Sequence, residues 1–336
     1  MRQMVISRYG GPDVLEIRDA ADPEPGSDEV RIRVRAAGVN FADVMGRMGL
    51  YPDAPPAPYV PGYEVAGVVD AIGRDVTRVH RGDRVVALTR FGGYADTVIV
   101  PADVAFHAPD RPFAELAALP VAYLTALVAL YQMANVQPSE TVLVLGVSGG
   151  VGLAATSLAR LRRAVVIGTA SAAKHDELHR LGVDHAIDHR ADLRAEVLRL
   201  TGGRGVDVVM DSVGGRSYAQ SYRLLAPLGR LVMLGMTSLV PGRRRNWLAV
   251  LQALWSMPRF KPLSLINRNR GVFGLNLAHL WTERRRLAAA MEMLTSEMAA
   301  GRIAPVVAAT FPLARAADAH RFVHDRKNVG KVVLTI

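Results

Sequence analysis

The chain has 336 residues, 50% of them hydrophobic and 21% charged. That is enough chain for two domains with separate cores, and the balance excludes a disordered, collagenous or coiled-coil protein. Cysteine is absent, which excludes a disulfide framework, a thiolate nucleophile and any cysteine-ligated zinc. Lys and Arg number 41 against 31 Asp and Glu, a net charge of +10. A basic surface favours polyanions in general and speaks first to solubility.

The opening, MRQMVISRYGG, has no apolar stretch of signal-peptide length. The least charged stretch, 116–139, is broken by Pro120 and diluted by Gln132, Asn135 and Gln137. A membrane span needs about 20 mostly apolar residues. The expectation is a buried helix over 121–134 and a cytoplasmic protein.

EVRIRVRAAGV (29–39) alternates polar and apolar residues, as a half-buried strand does. EVAGVVDAIG (64–73), DRVVAL (83–88) and YADTVIV (94–100) are further strand patterns bounded by Gly and Pro, which predicts a compact β-rich domain. The proline-dense segment LYPDAPPAPYVPG (50–62) between them predicts a constrained loop. From residue 141 the period changes. Strand patterns at 141–146, 164–169, 185–188, 205–212 and 229–235 alternate with helical ones, including 151–161 and 172–182. Val, Ile and Leu strands alternating with helices predict an α/β fold, a doubly wound parallel sheet covered on both faces. A basic run, Arg243 to Arg245, precedes an apolar helix pattern from Trp247 to Trp255. GVFGLN (271–276) reads as one more strand, 283–300 and 314–325 as helices, and KVVLTI (331–336) as a final strand.

The strongest local signal is GVSGGVG (146–152), directly after a strand and opening a helix. Glycines let the backbone turn tightly and approach a pyrophosphate, and the amides of a first helical turn bind the anion. The spacing is G-x-x-G-G-x-G and does not literally match G-x-G-x-x-G. A carboxylate about 20 residues on would hold an NAD ribose. Here the second strand ends Gly168-Thr169-Ala170-Ser171, and Lys174 follows. A hydroxyl and an ammonium suit a 2′-phosphate, which favours NADPH; the bland alternative is a lysine on a solvated helix start. Of the nine histidines, His175 and His179 share a helix face at i, i+4, and they read more simply as an exposed pair, so no metal site is expected.

AAGVNFADVMGRMGLYP (36–52), PGYEVAGVVDAIG (61–73), GDRVVAL (82–88), GGYADTVIVPAD (92–103), LPVAYLTALVALY (119–131) and the glycine turn occur in this order. Together they resemble the medium-chain dehydrogenase/reductase superfamily, in its zinc-free quinone oxidoreductase branch, along essentially the whole chain. GTASAAKHDELHRLGVDHAIDHR (168–190), GRRRNWLAVLQALW (242–255) and KNVGKVVL (327–334) are most similar to the VAT-1 homologue group. The resemblance implies a GroES-like catalytic domain over 1–118, completed by 270–336, and a Rossmann cofactor domain over 119–269. It also implies an active site between the two and a homodimer. Where zinc-dependent relatives place a catalytic cysteine and a ligand histidine, this chain has Asn40 and Tyr63.

By the same resemblance Asn40 and Tyr51 are the catalytic candidates. Met45 stands where some relatives carry tyrosine. Thr125, Gly149, Gly150 and Val151 match nicotinamide and pyrophosphate contacts, and Ser171, Lys174 and His189 the 2′-phosphate contacts. Gly235, Met236, the 273–275 stretch with Phe273 and Leu275, and Asn328 match the remaining cofactor lining. Each has a plainer reading: Asn40 as the cap of a helix over FADVMGRM, Tyr51 as a rim aromatic on the proline loop, and Asp43 and Glu64 as structural acids. The implied activity is NADPH-dependent reduction of a quinone or conjugated carbonyl. Two alternatives stay open: an enoyl-thioester reductase, and a lipid- or nucleic-acid-associated protein that uses the arginine run and the Trp247–Trp255 helix at an anionic membrane surface.

Overall fold

The computed structural model describes residues 1–240, 242 and 245–336, so Arg243 and Arg244 of the basic run lie outside the described residues. The chain divides into two compact units, and the division falls between Leu124 and Thr125, inside the helix Pro120–Leu127.

The first unit takes residues 1–124 and 277–336 with Arg245. Its main sheet runs Val307–Pro312, Lys331–Thr335, Glu29–Val39, Glu64–Ile72, Arg84–Leu88, Ala105–His107, and Thr97–Pro101 pairs with Glu29–Val39. The alternation at 29–39 has a direct physical cause. Val30, Ile32 and Val34 turn into the core, while Arg31 and Arg33 on the opposite face share the Asp70 carboxylate at 2.9 and 2.7 Å. The C-terminal strand lies inside this sheet, parallel to Val307–Pro312 on one side and antiparallel to Glu29–Val39 on the other, with Val332 opposite Val39. A hairpin of Arg2–Ile6 and Leu15–Asp19 precedes it, which the sequence patterns had not signalled.

The second unit holds residues 125–240, 242 and 246–276. Its sheet runs His185–Asp188, Val165–Ala170, Thr141–Leu145, Val206–Asp211, Leu225–Met233, Gly271–Gly274, and every pair in it is parallel. All six residues of Val206–Asp211 are buried, as a strand covered on both faces requires. This is the doubly wound fold expected from the alternating patterns.

Several elements differ from the patterns. The strand expected at 229–235 begins at Leu225 and passes through Leu228, an exposed leucine at φ +63° that hides its period. The helix expected over 172–182 is a 3₁₀ turn, Ala172–Lys174, followed by the α-helix His175–Arg180. The buried helix expected over 121–134 starts one residue earlier. Pro120 opens it instead of breaking it, because a first-turn residue needs no N–H donor, and it loosens into a π-helix over Val128–Met133. The Trp247–Trp255 helix has the expected bounds, and an unexpected helix, Pro262–Arg268, follows it. Among the described residues no helix is long and apolar enough to cross a membrane.

Candidate functional site

In the second unit the chain enters the sheet at Thr141–Leu145, works outward to His185–Asp188, then returns to Val206–Asp211 on the other side of its starting strand. Open α/β sheets bind ligands at such a reversal, beyond the carboxyl ends of the strands. The turn 146–152 sits there. Gly146 takes φ +74°, which glycine adopts without strain. Its N–H donates to Thr169 Oγ1 at 3.0 Å and the Val147 N–H to the Thr169 carbonyl at 3.1 Å, so the neighbouring strand pins the turn. A Cβ on Gly152 would lie 2.6 Å from Val147 Cα, so only glycine lets the helix Gly150–Leu161 start this close to the turn. Gly149 is different: its φ is −77°, and the nearest atom to an added Cβ is 3.6 Å away. Packing does not demand a glycine at that position. Gly150 and Val151 stand in the first helical turn, where an α-helix leaves amides without intrahelical acceptors.

Ser171 stands at the N-cap position of the 3₁₀ turn that follows Val165–Ala170, its side chain making no capping hydrogen bond. The Lys174 ammonium donates to Ser148 Oγ at 3.2 Å, which brings its charge to the glycine turn. Ser148 is a further candidate that the sequence reading passed over; its only signal was its place inside the turn. The His189 N–H donates to the Ala170 carbonyl at 3.0 Å, and its Nδ1 lies 3.4 Å from Asp188. The Arg190 N–H is the chief cause holding the Asp188 carboxyl below the usual carboxylate range. Gly235 accepts from the Tyr218 hydroxyl at 2.6 Å, and Met236 follows it. Phe273 lies in the edge strand beside Val232. Buried Leu275 follows that strand and donates its N–H to Met233 at 2.9 Å. Most of the expected cofactor residues thus gather where parallel strands end. Thr125 stands in the helix Pro120–Leu127, and Asn328 belongs to the first unit, where its Nδ2 donates to Gly330 at 2.8 Å.

The first unit holds a buried polar cluster. Asn40 occupies the cap position of the helix Phe41–Arg47 in extended conformation. Its carboxamide turns to the sheet: Nδ2 donates to Glu64 Oε1 at 2.8 Å, and Oδ1 accepts from Lys331 Nζ at 2.6 Å. The same ammonium lies 2.5 Å from Glu64 Oε1, and Glu64 Oε2 accepts from the Val121 N–H at 2.7 Å. Glu64 is 0% and Lys331 5% exposed. Gly38 makes room for this carboxylate, since a Cβ there would sit 2.6 Å from Glu64 Cδ. Lys331 was not singled out from the sequence, because 291 residues separate it from Asn40.

Tyr51 lies half-buried with its ring edge-on to Tyr63 at 6.1 Å, and Tyr63 tilts against Phe91 at 5.2 Å. Burial drives the Tyr63 hydroxyl far above the usual tyrosine range, so it stays neutral. Met45 is half-buried on the Phe41–Arg47 helix. On the same helix the Asp43 carboxylate accepts from the N–H groups of Asn40 and Gly62 at 2.8 and 2.9 Å and from the Tyr94 hydroxyl at 3.2 Å. The Tyr94 oxygen lies 3.2 Å from His320 Nε2. With the hydroxyl proton given to Asp43, His320 donates from Nε2, which assigns its tautomer. Burial pushes the Asp43 carboxyl up to about 7 and holds the His320 imidazole well below its usual value.

Among the described residues no group of three or more His, Asp or Glu is gathered so as to hold a metal ion. His179 turns its Nδ1 to the Val183 carbonyl at 2.9 Å.

Residues 26–110 match the family model for the alcohol dehydrogenase GroES-like domain, and residues 181–334 match the one for zinc-binding dehydrogenases. The human synaptic vesicle membrane protein VAT-1 homolog is 40% identical over 338 residues, covering 99% of this chain and 86% of the relative. The Escherichia coli quinone oxidoreductase complexed with NADPH superposes with a TM-score of 0.88 at 30% identity, over 100% of both chains. CurK enoyl reductase superposes with a TM-score of 0.85 at 29% identity, over 99% of this chain and 98% of that one. With a GroES-like unit whose sheet includes the C-terminal strand and a doubly wound unit carrying a glycine turn, the chain belongs to the medium-chain dehydrogenase/reductase family of oxidoreductases, in its VAT-1 homologue group.

Proposed function

We propose that the protein is an NADPH-dependent reductase of quinones or α,β-unsaturated carbonyls that works without a metal ion. The observation that carries this reading is Gly149, where an added Cβ would meet only the Gly146 carbonyl oxygen, at an unstrained 3.6 Å, and which has an ordinary φ. A glycine that packing does not demand fits a pyrophosphate approaching the backbone. The hydroxyls of Ser148 and Ser171 and the Lys174 ammonium fit a 2′-phosphate. The NADPH complex of the Escherichia coli relative supports the same cofactor. The other cofactor residues named from the resemblance complete the proposed binding set.

Bound NADPH supplies a hydride for an electrophilic carbon. The protein's own task is to orient the acceptor and to stabilise the negative charge that develops on its carbonyl oxygen. Asn40 Nδ2 carries a second hydrogen beyond the one given to Glu64, and Tyr51 carries a hydroxyl; these are the proposed donors. Tyr51 or water delivers the proton. The metal-free part rests on the donor set. The chain has no cysteine, Asn40 and Tyr63 stand where zinc-dependent relatives carry ligands, and Lys331 already occupies both Asn40 Oδ1 and Glu64. A homodimer belongs to the same reading.

NADPH and NADH oxidation measured over quinones, enones, enoyl thioesters and alcohols tests it. Turnover with NADPH on quinones or enones is expected. Preference for enoyl thioesters selects the reaction of the CurK relative, and oxidation with none of the acceptors sinks the reductase reading.

A second reading, adsorption to an anionic lipid surface, is favoured by the helices Trp247–Trp255 and Pro262–Arg268. Trp255 is 91%, Leu248 78%, Leu263 73% and Ile266 66% exposed. Exposed Arg259, Lys261 and Arg268 lie beside them, and aromatic and cationic groups together suit an anionic interface. Co-sedimentation with anionic but not zwitterionic vesicles, weakened by salt and by Trp255→Ser, is expected. A concentration-dependent dimer that loses its contact in the same variant would assign this face to a second copy instead.

A further inference from the structure

We propose that Lys331 and Glu64 form a two-sided clamp that fixes the orientation of the Asn40 carboxamide, which makes Lys331 a positioning residue of the reductase site. The inference rests on the reductase reading above for its consequence in turnover, though not for its geometry.

A carboxamide has two ends of nearly equal shape, one accepting and one donating. Only its partners decide which way it faces. Here Oδ1 meets an ammonium at 2.6 Å, a group with donors and no acceptor. Nδ2 meets Glu64 Oε1 at 2.8 Å, and an ionised carboxylate only accepts. Rotating the amide by half a turn would set its NH₂ against the ammonium and its oxygen against the carboxylate. Both hydrogen bonds would be lost, and both replacements would be repulsive in a site from which water is largely excluded. The clamp is held from outside as well. Glu64 Oε2 is tied to the Val121 N–H at the start of a helix, and the strand that carries Lys331 is in register with Glu29–Val39. The remaining Nδ2 hydrogen is therefore a donor of fixed identity. An unclamped asparagine would present oxygen or NH₂ in proportions set by the solvent, and an oxygen facing a developing oxyanion opposes the reaction.

Fold stability alone does not require this arrangement. Opposite charges buried side by side contribute little net stability compared with neutral groups of similar volume, whereas removing one partner leaves an uncompensated charge. The informative variant changes both charges: Lys331→Met with Glu64→Gln, which keeps size and removes the clamp's polarity. It is expected to fold. Its kcat is expected to fall roughly 10- to 100-fold, less than deleting an oxyanion donor outright, with the KM for NADPH within about twofold of wild type. In an Asn40→Ala background the same two changes are expected to lower kcat no further, because they act through Asn40.

The second readout needs no turnover. In protein labelled with [¹⁵N]asparagine and free of cofactor, the Asn40 side-chain NH₂ is expected to give two resolved signals protected from solvent exchange, and the double variant is expected to lose that protection. A folded double variant with wild-type kcat, or with Asn40 signals and protection unchanged, overturns the proposal. Absence of turnover in the wild-type protein with every acceptor would instead overturn the reductase reading, and the Asn40 signals would then decide the clamp by themselves.

Discussion

Two of the four glycines of the cofactor turn, Gly149 and Gly152, separate internal packing from ligand approach, and alanine substitutions tell them apart. At Gly152 an added Cβ would lie 2.6 and 2.7 Å from Val147 Cα and C. Carbon atoms in contact prefer about 3.5–4.0 Å, so backbone must move by about 1 Å. Overpacking of this kind costs about 1–3 kcal/mol. Gly152→Ala should therefore lower the Tm by several degrees and weaken NADPH binding through a displaced turn. At Gly149 the added methyl finds its nearest neighbour at 3.6 Å and φ is already −77°, so the fold should tolerate it. Alanine caps a helix less well than glycine, by about 0.5 kcal/mol. NADPH is a different matter, because the methyl stands where a phosphate is proposed to meet the amides. Losing one charge-assisted hydrogen bond costs about 1.5–3 kcal/mol, or roughly 10- to 150-fold in Kd. Thermal unfolding and NADPH titration of both variants give the four numbers needed. A Gly149→Ala protein that melts like wild type and binds NADPH equally well would refute the cradle, because the space in front of Gly149 would then have no ligand in it.

Three further outcomes follow from the same geometry. Lys174→Met should raise the Kd for NADPH about tenfold, the effect of one partly exposed charged hydrogen bond, and leave NADH unchanged; equal loss for both cofactors would remove Lys174 from 2′-phosphate recognition. Tyr51→Phe should slow turnover by about 10- to 100-fold, the scale of a lost acid or oxyanion donor, with the NADPH Kd unchanged; unaltered kcat excludes its hydroxyl from the chemistry. The pH dependence of stability should carry two opposed contributions. His320 is neutral in the fold, and the unfolded chain takes up its proton near pH 6.5, so its contribution is whole above about pH 6.5 and is lost as the pH falls. Asp43 titrates at about 7 when folded. Its contribution is whole below about pH 4, the unfolded value, and is lost as the pH rises toward 7. His320→Gln removes only the first slope, so the difference in urea unfolding free energy between wild type and variant should grow from pH 5 to 7. A constant difference would mean that the imidazole is not held neutral by burial.

What the sequence disclosed follows the distance over which each feature is determined. The parallel sheet was legible because a strand buried on both faces must be apolar at every position, as Val206–Asp211 nearly is. The glycine turn was legible because its determinants fall within seven residues, and the Trp247–Trp255 helix because its pattern is local. Local exceptions hid other elements: Leu228 at φ +63° masked the start of its strand, and Pro120 looked like a breaker where it is an opener. The polar cluster was illegible for a different reason. Asn40 and Glu64 are 24 residues apart and Lys331 is 291 from Asn40, so no window of sequence contains the partners that give each its role. Read alone, Glu64 is an acid in a valine-rich strand and Lys331 a cation near the chain end. Only the pairing of the last strand with Glu29–Val39, Val332 opposite Val39, brings the ammonium to Asn40. A slip of one residue would turn every side chain of that strand to the other face. The charge that neutralises Glu64 is thus set by register. The hydrophobic residues that fix that register, Val332, Val333 and Leu334, all buried, are as much determinants of the Asn40 orientation as the lysine itself.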